Sequence, residues 1–333
     1  MNKSNTNEPR DFHILALSGG GYRSLYTATV LSVLEQTLGR PLAKHFDLIC
    51  GTSAGGMLAL GLANEIPAAN LKGMFEEHGG RIFNSRSWTR RLFGFWLSAK
   101  HQAEGLRSVL EEQFGDRTIG HLSHRTLVPS VNCTTGKGQF FKTPHHPKLE
   151  FDHSMKLVDV AMATTAAPVY FPLARNERGV YADGGLVGNA PGLFGWHEAQ
   201  HFLPEGRPTR IRVLSIGTMS IGSAVRGDVS LDRGFAKWRG DLFNLVISAQ
   251  ESSVDYMLTH FLGENYYAID DRATPDQSRD IEQLDRVTTG STNTLRDRGT
   301  HAAQRSLGDE RFAPFRAHLA APPSFFHGHN KNV

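Results

Sequence analysis

The chain of 333 residues carries 36 Lys and Arg against 33 Asp and Glu, a formal net charge of +3, and 39% of its residues are hydrophobic. That balance excludes the disordered and fibrous classes, and it is too weakly basic to argue for a nucleic-acid polymer as partner. Only Cys50 and Cys133 are present, which gives no disulfide framework, suits a reducing compartment and predicts a cytoplasmic protein.

The N-terminal residues 1–11, MNKSNTNEPRD, are polar with no apolar run behind the lysine, and read as a flexible tail rather than a secretory signal. A short, nearly continuous apolar run, Phe12–Ser18, predicts a buried strand that feeds a glycine turn. Leu25, Ala28, Leu31, Leu34 and Leu38 then recur at helical spacing until Gly39 and Pro41 stop the pattern. The scheme repeats with a strand at Phe46–Cys50, a turn of small residues and a helix from about Ala54. Two strand-turn-helix units in succession predict an α/β fold with a parallel, doubly wound sheet. The longest apolar stretch, Leu48–Ala63, is too short and too rich in glycine for a membrane span.

Further strands are predicted at TLVPSVNCTT, GQFFKT and IRVLSIGT, with a helix at MKLVDVAMATTAAP ended by Pro168. After about Ser220 the chain turns polar and mostly helical, with one strand-like piece at Asn265–Asp270. The expected organisation is a core over 12–219 and a mainly helical portion over 220–333 packed on it, with a loose tail from about 321.

The run GTSAG, Gly51–Gly55, matches the G-x-S-x-G nucleophile elbow between a predicted strand and a predicted helix. Such a turn forces the serine into a strained conformation, so the flanking Gly51 and Gly55 must leave room, and Ser53 would project from the carboxyl edge of the sheet. Of the 16 histidines none has a convincing setting as its base: His197 and His201 lie four apart on one helical face, without the pattern of a metal site. A better candidate is Asp183 in VYADGGLVGNAP, where a short strand ends and Gly184 and Gly185 let another backbone come close. An aspartate of ordinary pKa, about 4, is a poor base for a hydroxyl, so it would have to act at hydrogen-bond distance in a partly desolvated site.

The first turn, GGGYRS, fits neither nucleotide motif. Ser24 stands where a Rossmann fingerprint needs its last glycine, Asp47 sits at the wrong end of the second strand, and no lysine follows in P-loop spacing. An oxyanion hole remains: successive N–H groups over Gly19, Gly20 and Gly21 can converge on one point, with Arg23 adding positive charge. Both turns open onto one crevice at the sheet edge.

Taken in order, GGGYRS, GTSAG, ATTAAPVYFP and DGG resemble the patatin-like phospholipase family over roughly His13 to Thr218. The resemblance implies a three-layer α/β/α fold with a mainly parallel central sheet. It also implies a Ser–Asp dyad, Ser53 with Asp183, that cleaves fatty-acyl esters of membrane phospholipids without metal or cofactor. Ser24 departs from the glycine more usual in the family and puts the local turn geometry in question. The compact chain is further similar to bacterial patatin-like effectors of cyclic-oligonucleotide anti-phage signalling. That likeness implies a cyclic dinucleotide activator whose pocket has no position in the sequence, a homo-oligomer, and peripheral contact with the inner membrane face. A constitutive lysophospholipase or esterase, or a silent lipid- or nucleotide-binding module, would carry the same motifs. Arg81–Lys100 interleaves aromatic and basic residues; Trp88, Arg90, Arg91, Phe95 and Trp96 read as a lid or membrane contact, or as a helix whose aromatic face packs on the core.

Overall fold

The computed structural model describes residues 10–84, 99–203, 206, 208–219, 232 and 241–333. The tail 1–9 and the aromatic-basic positions Trp88, Arg90, Arg91, Phe95 and Trp96 lie outside the described residues.

Strands β1 (Asp11–Leu17), β2 (Leu48–Gly51), β3 (Thr126–Asn132), β4 (Lys137–Lys142), β5 (Ala174–Asn176), β6 (Gly179–Asp183), β7 (Arg210–Ile216) and β8 (Tyr266–Ile269) form one sheet. Its order is β5-β6-β3-β2-β1-β7-β8, with β4 paired to β3. From β3 through β8 the pairings are parallel, whereas β4, β5 and β6 join antiparallel. The sheet is therefore mixed, with its parallel half where the two strand-turn-helix units predicted it.

Alternate residues of the central strands face opposite layers, as the two-residue period of a strand requires. Leu15, Leu17, Ile49, Val128, Leu214 and Ile216 pack into one core and Ile14, Ala16, Leu48, Cys50, Leu127 and Val213 into the other. The first core is covered by α1 (Ser24–Leu38), α2 (Ala54–Ala63), α3 (Ala68–Ile82), α4 (Ala103–Phe114) and α5 (Leu157–Thr164). After α6 (Gly185–Gly188), the helices α7 (Gly192–His201) and α8 (Asp241–Leu262) cover the second. The remaining helices are α9 (Pro275–Ile281), α10 (Thr289–Leu307) and α11 (Ala313–Ala317). Helix α1 stops at Gly39, whose φ of 69° is the left-handed conformation that closes a helix cheaply only when no Cβ is present. Helix α2 is buried all round, so its run of small and apolar residues has no polar face to show.

Two expectations change. The C-terminal portion is not simply packed on a finished core: β8 extends the sheet beside β7, and α10 lies against α1 where Gly299 meets the Tyr26 carbonyl. Nor is the end of the chain loose. Beyond Ala317 it has no helix or strand, yet Ala320 N–H donates to the Lys44 carbonyl, Phe326 N–H to Pro144, and the Asn330 amide to His121 and Leu122. Phe325 is buried at 3% exposure. Polar composition suggested mobility, but the buried Phe325 ring, the backbone bonds of Ala320 and Phe326 and the Asn330 amide dock the segment. Phe325→Ala is accordingly expected to lower the unfolding free energy by about 3 kcal/mol in a denaturant titration, whereas a free tail would show no change.

Candidate active site

Strand β3 offers one edge to two strands in succession. Leu127 pairs with Cys50 of β2 on one side and Lys142 of β4 on the other, while Asn132 pairs with Tyr181 of β6 and Lys137 of β4. Because β4 holds the far edge throughout, β2 and β6 share the near one. Strand β2 runs parallel to β3 and β6 antiparallel, so their carboxyl ends point at each other, with Cys50 at Leu127 and Asp183 at Ser130. The elbow occupies the gap between them.

Ser53 adopts φ 53° and ψ −127°, a conformation costly to any residue with a side chain. Several contacts hold it. Ser53 N–H donates to Thr164 Oγ1 at 2.9 Å, and that hydroxyl donates in turn to the Pro129 carbonyl at 2.7 Å. Thr52 is fastened by its N–H to the Leu17 carbonyl and by its hydroxyl to Gly188. The flanking glycines have steric reasons: a Cβ on Gly51 would strike the Gly55 carbonyl, and one on Gly55 the carbonyls of Leu17 and Ser18. Helix α2 then begins with the N–H groups of Gly56 and Met57 bonded to Ser53 O.

From this turn Ser53 Oγ donates to Asp183 Oδ2 at 2.6 Å. The other carboxylate oxygen accepts the Gly185 N–H at 2.6 Å, and Gly184 lies so close to the Pro129 carbonyl that a side chain there would collide. Asp183 is 2% exposed, and burial pushes its pKa up to about 7 against the opposing pull of those two hydrogen bonds. A carboxylate so placed is a far better proton acceptor than an ordinary one. His197 and His201 instead lie against each other on α7, with ring centroids 4.7 Å apart.

The glycine turn faces the same cavity as Ser53 and Asp183. Of its three expected N–H donors, Gly19 is already engaged, donating to the Asn189 carbonyl at 3.2 Å. Tyr22 N–H donates to Leu284 O and Arg23 N–H to Gly20 O, so Gly20 and Gly21 keep N–H groups without an acceptor among the described residues. Arg23 also departs from expectation. It is 7% exposed and absent from the cavity wall, and the carboxylates that act on it are those of Glu251 and Asp270. Burial lowers its pKa, raises that of Glu251, and, together with repulsion from Glu251, pushes Asp270 up to about 7. Arg23 is thus a buried counter-charge beneath the turn. Ser24 takes ordinary right-handed angles, φ −64° and ψ −5°, so the departure from glycine costs the turn nothing.

Beyond the polar end the cavity is apolar, walled by Met57, Phe75, Ile82, Phe83, Leu106, Phe171 and Ile247. Sequence reasoning passed over Thr164 and Asn189, although both stand in runs it singled out, and Glu251, which carries no local signal.

Residues 15–193 match the profile of the family described as Patatin-like phospholipase. The chain belongs to the patatin-like phospholipase family. It is 70% identical over 322 residues to a cGAMP-activated phospholipase of Pseudomonas aeruginosa (strain BWHPSA011 / Pa011), covering 97% of each chain. Proteins of the same description from Vibrio cholerae serotype O1 and Escherichia coli (strain TW11681) are 32% and 31% identical. The first match covers 91% of this chain and 92% of the relative, the second 90% of each. This patatin-like phospholipase is an ester hydrolase. Among its described residues no helix is long and apolar enough to cross a membrane.

With Asp183 acting as a general base, its environment would set the pH dependence. A base must be ionised, so kcat/KM should fall about tenfold per unit below a midpoint near 7 and level off above it, read from initial rates on a soluble ester. The same shift acts on stability with the opposite sign. The folded value exceeds the unfolded one, so the stabilising contribution is complete at low pH and is lost as pH rises through 7. Asp183→Asn should therefore melt at a higher temperature than the parent protein at pH 8 while being inactive.

Proposed function

We propose that this chain is a Ser–Asp dyad phospholipase that releases fatty acids from membrane glycerophospholipids and is switched on by a cyclic dinucleotide in anti-phage defence. The observation that carries the catalytic part is the 2.6 Å hydrogen bond from Ser53 Oγ to a buried Asp183, at the polar end of an apolar cavity.

Ser53 Oγ attacks the ester carbonyl carbon while its proton passes to Asp183 Oδ2, and the carbonyl electron pair moves onto oxygen. The free N–H groups of Gly20 and Gly21 receive that oxyanion. Collapse breaks the bond to the leaving lysophospholipid oxygen, which takes the proton from Asp183 and departs. Water then gives its proton to the same carboxylate, adds to the acyl-serine, and restores Ser53 as the fatty acid leaves. One carboxyl group handles every proton, which is why a value near neutrality suits it.

The fatty-acyl part of the substrate fits the apolar stretch of the cavity wall, where Met57, Phe75, Leu106 and Ile247 match an alkyl chain. Contact with the bilayer is read from its rim. Val169 and Leu173 are exposed beside the lining residues Tyr170 and Phe171, and Leu186 is exposed just beyond Asp183. Such a rim fits a protein that docks peripherally on the inner membrane face. Activation by a cyclic dinucleotide is supported by the relatives described as cGAMP-activated, which this chain matches over nearly their whole length.

Ser53→Ala and Asp183→Ala should each abolish fatty-acid release from phosphatidylglycerol vesicles, with circular dichroism and melting showing an intact fold; release by either variant would sink the dyad. In the same assay cGAMP should raise the rate of the parent protein at least tenfold, and a rate indifferent to a panel of cyclic di- and trinucleotides would leave a constitutive lipase.

A further inference from the structure

The peptide whose N–H is that of Gly20 has the Gly19 carbonyl at its other end. The peptide is planar and trans, so the direction of the carbonyl fixes the direction of the N–H. Gly19 O accepts a hydrogen bond from Asn189 Nδ2 at 2.8 Å, and Gly19 N–H donates back to Asn189 O. Asn189 thus clamps the peptide that presents the first free donor of the turn. Its second amide hydrogen goes to Glu251 Oε1 at 2.6 Å, a short bond to a carboxylate. The neighbouring Gln250 accepts from Asn189 N–H at 3.2 Å and donates to the Leu186 carbonyl at 3.3 Å. Two adjacent residues of α8 therefore hold the Asp183–Asn189 loop and, through Asn189, the glycine turn. The same helix puts Ile247 into the cavity wall, and it lies wholly outside the part of the chain that matches the family profile.

We propose that Glu251 is a positioning residue for the oxyanion hole: through Asn189 it fixes the Gly19–Gly20 peptide, so turnover depends on where helix α8 is seated. The inference rests on the reading of Gly20 N–H as an oxyanion donor. It makes α8 one element through which a movement of the C-terminal portion reaches the chemistry, beside the Leu284 carbonyl that holds Tyr22 N–H. A helix of 22 residues is about 33 Å long, so a signal at its far end needs no contact with Ser53.

Glu251 also faces Arg23, and a role in balancing that buried charge makes the opposite demand on its side chain. Glu251→Gln keeps an oxygen in reach of Asn189 and loses the charge. Glu251→Asp keeps the charge beside Arg23 and withdraws the oxygen by one methylene. In the full chain with cGAMP, assayed on a soluble short-chain p-nitrophenyl ester, Glu251→Asp and Glu251→Ala should lower kcat about 10- to 100-fold with KM within about twofold. Glu251→Gln should stay within about fivefold of the parent. Affinity for a trifluoromethyl ketone, which forms an oxyanion on Ser53, should fall with kcat, while affinity for free fatty acid is unchanged. The reverse order, Asp tolerated and Gln impaired, overturns the relay in favour of charge balance. So does an equal loss of ketone and fatty-acid affinity, or an unchanged kcat in all three variants. Failure of the dyad itself registers elsewhere, as a parent protein that a fluorophosphonate does not label at Ser53.

Discussion

The site depends on a single constraint, the double use of one edge of β3. A parallel strand and an antiparallel strand lie along it end to end, so their carboxyl termini converge, and the residues just past each end must meet. Ser53 can then take a strained backbone angle because its own N–H is held by Thr164 and its neighbour Thr52 by Leu17 and Gly188, rather than by the turn itself. Strain of this kind costs on the order of 1–3 kcal/mol and survives only where surrounding contacts over-determine it.

Electrostatics at the site follows from the same burial. Among the described residues no cation stands against Asp183: its partners are a hydroxyl and a backbone N–H, which pull its pKa down less than desolvation pushes it up. The nearby positive charge, Arg23, is spent on Glu251 and Asp270 beneath the glycine turn. Had Arg23 entered the cavity, it would have favoured the ionised form of Asp183 and weakened it as a base. Separating the two keeps the carboxylate basic, and under the proposed mechanism it leaves the oxyanion to neutral N–H donors, which need no counter-ion in an apolar cavity.

The parts that rest on local chain chemistry were legible in the sequence. GTSAG announced the elbow because only glycine fits at Gly51 and Gly55, and the glycines after Asp183 announced a close approach, here to the Pro129 carbonyl. The parallel half of the sheet followed from two strand-turn-helix units. What was not legible depends on contacts between distant segments. Nothing in VYAD reveals that β6 runs antiparallel along an edge β2 has already used. Gly19 was assigned as a donor because a run of glycines carries no mark of which N–H another loop will claim, and Asn189 claims that one. Arg23 looked like a site residue by adjacency, but the turn of helix that follows Gly21 carries it under the site, towards Glu251 and Asp270. Docking of the tail likewise needed the partners Pro144 and Gly120–Leu122, which composition cannot show.

The shared edge of β3 has a consequence for what this architecture can accommodate. Ser53 and Asp183 are 130 positions apart, yet each is fixed to β3 within a few residues of itself. The length and course of the segments around α3 and α4, which wall the acyl cavity through Phe75, Ile82 and Leu106, do not enter that geometry. Such segments can be lengthened, shortened or replaced without disturbing the register of the catalytic pair. Under the proposed function the scaffold thereby separates the choice of acyl chain from the bond that cuts it, and the one can be redesigned while the other stands still.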